Sequence, residues 1–355
     1  MSGRHVIKPP RLAPGDTIGI ISPASPISSE CPERFVRGVA HLEGMGFTVR
    51  VARHAWARHG HTAGTIEQRI EDIHSLFSDP AVRAVLTSVG GLNSNQLLDG
   101  LDYDLIARNP KILMGYSDAT ALLLAIGRRS GLVTFLGPAV LPQFGEPGGL
   151  HAYTARWFHR ILMQGEAPLE LTPSRRCIDE PVCRDGEGAM PRRGRPHRGP
   201  RTLVPGSAEG PIVAGNLSTL LVLACSPYWP DLDGAILCVE EDEGESPASL
   251  DRMFTQLRTM GVFERIRALL IGRFPRGIGF GRRDSLKQVL LTAMRGYRLP
   301  VAVDFDLGHT DPMFILPNGI RARVELDAAP RLTLLEPAVA DRTEQPTGAS
   351  STRTG

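Results

Sequence analysis

Over the first third of the chain, short apolar runs alternate with amphipathic stretches, and the spacing within each predicts an element. Thr17–Ile21 reads as a buried strand and ends in the turn-forming run Ser22-Pro23-Ala24-Ser25-Pro26. Phe35, Val39 and Leu42 recur at helical spacing within residues 34–45, and Gly46 supplies the stop. Residues 47–51 form a second strand candidate. Ile66, Ile70, Ile73 and Phe77 share one face of a helix over 66–77. Residues 82–88 predict a strand that runs into Gly90-Gly91. A further strand over 111–116 leads into a helix over 119–129 with the apolar run Ala121–Ile126. Strands separated by helices in this order predict an α/β domain with a mostly parallel sheet. In such sheets ligands sit beyond the carboxyl ends of the strands, so the loops after Ile21, Ser88 and Tyr116 are where chemistry is expected.

The middle of the chain loses this periodicity. Residues 191–201 (PRRGRPHRGPR) are rich in Pro, Gly and Arg and read as a mobile loop or linker. Order returns afterwards, with strands expected over 236–239, 268–271, 321–326 and 331–335 and helices over 250–260 and 284–295. The expected organisation is therefore an N-terminal α/β domain (1–170), a connecting loop (171–208) and a smaller C-terminal α+β domain (209–337). A polar tail (338–355), rich in Thr and Ser, is expected to be disordered.

Composition narrows the classes of function. Forty basic and 38 acidic residues leave a net charge of +2, which argues against a dedicated nucleic-acid binder. Only Lys8, Lys111 and Lys287 among the basic residues are lysines, so few groups are available for Schiff-base chemistry. Five cysteines without a C-x-x-C pair indicate neither a disulfide framework nor a structural zinc site. The sequence shows no apolar h-region and no run of about 18 apolar residues, so a soluble, cytoplasmic protein with no membrane partner is expected.

The sharpest local feature is Met114-Gly115-Tyr116-Ser117-Asp118-Ala119-Thr120. A strand runs directly into a serine with Gly at −2 and Ala at +2, and then into a helix. Small neighbours are what a nucleophile elbow needs, because the serine sits in a strained turn. The alternative is that Ser117 merely N-caps the helix. A nucleophilic serine needs oxyanion donors, a base and an orienting acid. Gly90-Gly91 and the amide of Asp118 can supply the donors. His309, between Gly308 and Thr310-Asp311-Pro312, suits a base, or else is a capping or core-edge residue. His54, His59 and His61 read as solvated loop residues or a metal site. The strand over 236–239 ends in Glu240-Glu241-Asp242-Glu243, and Glu240 or Glu241 is the candidate acid, the rest being a solvated acidic loop.

These residues carry a resemblance. Asn109–Leu124 around Ser117, Gly90-Gly-Leu-Asn-Ser-Asn95, Leu101-Asp-Tyr-Asp104, Ala214-Gly-Asn-Leu-Ser218, the block 236–252 and Gly308-His-Thr-Asp311 together resemble the LD-carboxypeptidase family of serine peptidases. That family includes murein tetrapeptide carboxypeptidases and MccF-type microcin immunity peptidases. The resemblance spans about residues 10–326. It implies a nucleophile-bearing α/β domain, a smaller domain carrying Glu and His, a Ser–Glu–His triad without metal or cofactor, and a homodimer. Carried across, Ser117 resembles the nucleophile, His309 the base and Glu240 its partner, with Glu241 still open. Gly91 and Asp118 resemble the oxyanion donors, and Asn216 joins them as a substrate-binding residue.

Asn93-Ser94-Asn95 and Ser246-Pro247-Ala248 are more similar to the MccF-type branch. The segment before Gly210 lacks the Gly-Trp pair often seen there, an aromatic suited to stacking on a nucleobase. The substrate implied is a muropeptide or a peptidyl- or aminoacyl-nucleotide. Two rival readings stand beside this one, an α/β-hydrolase-type esterase with the same Ser–acid–His order and a catalytically idle anion-binding protein.

Overall fold

The strands expected in the first third all lie in one six-stranded sheet. In the computed structural model, which describes residues 6–180, 191–327 and 329–342, β1 (Thr17–Ile21), β2 (Thr48–Val51), β3 (Val82–Thr87), β4 (Ile112–Gly115) and β5 (Phe135–Leu136) run parallel. Their spatial order is β2-β1-β3-β4-β5, and Leu316–Pro317 closes the far edge antiparallel to β5. The crossover helices form where expected. The helix Pro32–Gly44 has Pro in its first turn and buries Phe35 and Leu42. The helix Ile66–Ser78 opens on a capping box, with the Gln68 amide donating to Thr65 Oγ1 (3.3 Å) and Thr65 N donating to Gln68 Oε1 (2.9 Å). Its buried stripe is Ile73, Leu76 and Phe77, while Ile66, expected on that face, lies at the surface.

The second sheet has eight strands. Gly206–Asn216, Ile236–Glu240, Ala268–Gly272 and Val301–Phe305 run parallel at its centre. Antiparallel strands flank them: Arg201–Val204 on one side, and Arg321–Leu326, Arg331–Leu334 and Leu169–Glu170 on the other. Mixed α/β architecture with two large sheets follows. Strand residues alternate between two apolar clusters, and each cluster draws on both sheets. Ile112 and Met114 pack in one with Ile236 and Cys238, whereas Leu113 packs in the other with Leu237 and Val239. The core is therefore continuous between the two halves of the chain.

Three features differ from the expected organisation. The sheets exchange edge strands, since Leu169–Glu170 joins the second and Leu316–Pro317 the first. The Arg-rich stretch is not a free linker among its described residues. Arg195–Pro196 pairs with Arg176–Cys177, and Arg201–Val204 edges the second sheet. Pro and Gly remove helical periodicity yet are tolerated at sheet edges. The charges meet acids: Arg192 reaches Glu146 and Asp311, Arg195 reaches Asp179, and Arg201 reaches Asp304. The tail begins ordered, with Ala340 N donating to Pro9 O (2.9 Å) and Arg342 paired to Asp16 (2.7 and 3.0 Å). Residues 343–355, within the stretch expected to be disordered, lie outside the described residues.

Candidate active site

β4 delivers Ser117 at its carboxyl end, one residue past an extended Tyr116. Ser117 has φ 60, the left-handed region that a non-glycine residue enters at a cost of about 1–3 kcal/mol. Packing explains why its neighbours are small. A Cβ on Gly115 would stand 2.3 Å from Thr87 Oγ1, and one on Gly90 would stand 2.7 Å from Ser117 Cβ. Ser117 does not cap the following helix, Thr120–Ser130: no side-chain cap bond forms at either the short turn 117–119 or the helix itself.

Its hydroxyl instead meets His309. Ser117 Oγ and His309 Nε2 are 3.1 Å apart, and His309 Nδ1 lies 2.7 Å from Glu240 Oε2. The His309 amide also donates to Glu240 Oε2 (3.2 Å), which fixes the backbone turn as well as the ring. Gly308 makes this approach possible. It has φ 92, and a Cβ there would fall 2.1 Å from Glu240 Oε2. Glu240 ends the central strand Ile236–Glu240 and is fully buried. Burial lowers the His309 pKa, but the Glu240 carboxylate, helped by Asp242 and Glu241, outweighs it and raises it to about 9. Tyr116 packs against the imidazole with ring centroids 5.0 Å apart.

The adjacent acid is engaged elsewhere. Glu241 accepts from Asn216 Nδ2 (2.9 Å) and from the Ser218 amide. Burial and the nearby Glu240 charge push it up to about 7. It is Glu240, not Glu241, that meets the imidazole. Asn216 is 3% exposed, and its Oδ1 caps the helix Leu217–Val222 through Thr219 N (3.0 Å). Its side chain is thus occupied at both ends by the fold.

Gly91 lines the same cavity as Ser117, and Asp118 follows Ser117 within its short turn. Gly91 has φ 150, and a Cβ there would meet Ser25 Oγ at 2.4 Å. The Asp118 carboxylate turns away from the serine and accepts from Ser94 N (2.8 Å), while Ser94 Oγ donates to Asp118 O (2.6 Å). This leaves the Asp118 amide beside Gly90, whose Cβ position is 3.2 Å from it. Neither the Gly91 nor the Asp118 amide donates to a backbone carbonyl among the described residues. Arg69, which the sequence pattern does not reveal, ties this loop down. Its guanidinium donates to Pro23 O (2.8 Å), Asn93 O (3.3 Å) and Gln96 Oε1 (2.8 Å). A buried arginine inside an amphipathic helix leaves no periodic signal by which to find it.

Ser117 and His309 open onto a cavity of about 580 Å³, walled also by Ser25, Cys31, Arg34 and Tyr116. Of the clustered histidines, His54 is bonded to Asp72 (Nδ1 to Oδ1, 3.0 Å). Among the described residues, no group of three or more His, Cys, Asp or Glu is arranged to hold a metal ion, and no helix is long and apolar enough to cross a membrane.

Two family models match the chain, the LD-carboxypeptidase N-terminal domain over residues 18–137 and the LD-carboxypeptidase C-terminal domain over residues 209–324. The chain belongs to the LD-carboxypeptidase family. It is a serine-type carboxypeptidase. It is 34% identical over 326 residues to the microcin C7 self-immunity protein MccF of Escherichia coli, covering 91% of this chain and 94% of that protein. A Bacillus subtilis protein named as a probable murein peptide carboxypeptidase is 32% identical over 338 residues, covering 94% and 96% of the two chains. The solved structure of MccF in complex with aspartyl sulfamoyl adenosine superposes with a TM-score of 0.87 at 32% identity, covering 94% of this chain and all of that one.

Proposed function

We propose that this LD-carboxypeptidase works through a Ser117–His309–Glu240 triad and hydrolyses the amide of a small peptidyl- or aminoacyl-nucleotide. The observation that carries the triad is the unbroken relay from Glu240 Oε2 through His309 to Ser117 Oγ, at 2.7 and 3.1 Å, ending on a serine in a strained turn. Ser117 Oγ attacks the carbonyl carbon while His309 Nε2 takes its proton, and Glu240 holds Nδ1–H and stabilises the imidazolium. The amides of Gly91 and Asp118 hold the oxyanion, a contribution of about 3–4 kcal/mol per donor in serine peptidases. His309 then returns the proton to the leaving nitrogen, and water releases the acyl group from Ser117 by the same route. A cavity of about 580 Å³ suits a ligand of that size.

The similarity to MccF, whose solved complex holds an aminoacyl-nucleotide analogue, supports the nucleotide reading. The muropeptide reading is favoured by the murein-named relative and by the missing Gly-Trp pair before Gly210. The family resemblance also supports a cytoplasmic homodimer. One parallel assay separates the substrates: aspartyl sulfamoyl adenosine and a murein tetrapeptide are each offered to wild type and to Ser117→Ala. Release of aspartate by wild type alone supports the proposal, and release of terminal D-alanine alone moves the substrate to the muropeptide class. Activity that survives in Ser117→Ala overturns the triad, and no release from either substrate sinks both substrate classes.

A further inference from the structure

His309 sits on a turn from the C-terminal half of the chain, whereas Ser117 belongs to the N-terminal sheet. Their hydrogen bond spans 192 residues of sequence. Something must fix that turn against the other sheet. Two buried acids flank the histidine, Asp306 three residues before and Asp311 two residues after. Asp306 is held by Arg273 (3.2 Å), by the Ser174 amide (2.5 Å) and by Tyr153 Oη. Asp311 is held by Arg192, whose Nη2 donates to its Oδ2 at 2.5 Å, and by a two-way backbone pair with Ile178.

Arg192 is the more telling partner because of where it comes from. It belongs to the middle segment that neither family model covers, and its side chain is 4% exposed. Its backbone N and Nε donate to the two oxygens of Glu146 (both 3.0 Å), and Glu146 accepts in turn from Arg34 Nη2 (2.6 Å). Arg34 lines the cavity beside Ser117 and donates to Leu141 O and Pro142 O, which line it too. A continuous chain of buried charges therefore runs Arg34–Glu146–Arg192–Asp311 from the wall of the serine's cavity to the histidine's turn. Such a network is weak evidence for stability, since well-packed apolar residues often do as well. What it supplies instead is fixed direction: a guanidinium fork engaging two carboxylates sets their separation in a way that an apolar contact does not.

We infer that Arg192 is a positioning residue, delivered by the Arg-rich middle segment, that holds the His309 turn in register with Ser117 through Asp311. This rests on the Ser117–His309 reading. The test follows phosphonylation by a fluorophosphonate probe, in which Ser117 Oγ bonds to phosphorus, fluoride departs and His309 takes the proton. Wild type, Arg192→Met, Asp311→Asn and the double variant are compared by maximal rate (kinact) and by probe affinity (KI), with melting curves to establish folding.

A misplacement on the order of 1 Å costs roughly 100-fold in rate. Arg192→Met and Asp311→Asn are each expected to lower kinact by about 10- to 100-fold while KI stays within about twofold. The double variant is expected to fall no further than the worse single one, as for residues acting through one link. A folded Arg192→Met protein with wild-type kinact and a lowered melting temperature shows a structural role only and overturns the proposal. Asp311→Asn keeps the side-chain shape and an acceptor oxygen, so its kinact decides the matter if Arg192→Met does not fold. Ser117→Ala and His309→Ala run alongside. Labelling that persists in both defeats the triad reading itself, independently of Arg192.

Discussion

Removing the charge of Glu240 while keeping its shape isolates what that carboxylate does. In the folded protein the His309 pKa stands at about 9, against an ordinary histidine value of about 6.5. The difference corresponds to roughly 3–4 kcal/mol of preference for the imidazolium. Burial acts in the opposite direction and is the largest single influence, so the carboxylate must outweigh it. In Glu240→Gln that balance reverses, and the His309 pKa is expected to fall below about 6.5. The base works only when neutral, so the pH profile of serine acylation reports the change directly. With a fluorophosphonate probe between about pH 6 and pH 10, the wild-type rate should climb about tenfold per pH unit and level off near pH 9. The Glu240→Gln rate should already be level at about pH 7. Its plateau should lie roughly 10³- to 10⁴-fold lower, because the imidazole loses its orienting partner and the imidazolium its counter-charge. A variant that keeps its midpoint near pH 9, or keeps the wild-type plateau, refutes the assignment of Glu240 as the triad acid.

The same ion pair should be visible in stability. A raised histidine pKa contributes stability that is fully present below about pH 6.5 and is lost as pH rises through about 9. The melting temperature of wild type should therefore fall across that window, and His309→Ala should flatten the fall; an unchanged slope would count against the raised pKa. Gly90→Ala puts a Cβ 2.7 Å from Ser117 Cβ and 2.8 Å from its Oγ. It should cut acylation by at least about tenfold at an overpacking cost of about 1–3 kcal/mol, read by rate and by urea denaturation. Asn216→Ala removes a helix cap and a donor to the buried Glu241. It should destabilise the fold by about 2–3 kcal/mol, and a loss below about 0.5 kcal/mol would show that these bonds do not matter.

Apart from the two-residue strands Phe135–Leu136 and Leu316–Pro317, which are too short to leave a pattern, the strands of the first sheet were legible as short runs bounded by turn residues, and Thr17–Ile21 has the bounds its sequence suggests. Gly206–Asn216 was not. It holds Gly206, Gly210, Pro211 and Gly215, a composition that reads as a loop. The reason is tertiary: a Cβ on Gly210 would stand 2.0 Å from Gly234 O, so the close approach of neighbouring backbone selects glycine over strand propensity. The Arg-rich stretch was misread for a related reason. Its arginines find acids outside the stretch, from 16 residues away for Arg195 and Asp179 to 119 for Arg192 and Asp311, and no local pattern announces such partners.

Within the site, the serine at the strained turn is readable from sequence and the choice between the two adjacent acids is less so, and the difference lies in how each position is specified. Ser117 is marked by its immediate neighbours, since a strained turn between strand and helix excludes side chains locally. Glu240 and Glu241 carry the same group on adjacent residues, and only their surroundings separate them. Glu240 faces the His309 turn across Gly308, where nothing larger than hydrogen fits. Glu241 faces Asn216 and the Ser218 amide, and its pKa of about 7 leaves it largely neutral in slightly acid solution. The two adjacent carboxyl groups therefore differ in what they touch, and burial favours the neutral form of the one that does not meet the imidazole. An acidic run that looks redundant in sequence resolves in the fold into one counter-ion for His309 and one anchor for the helix that follows Asn216.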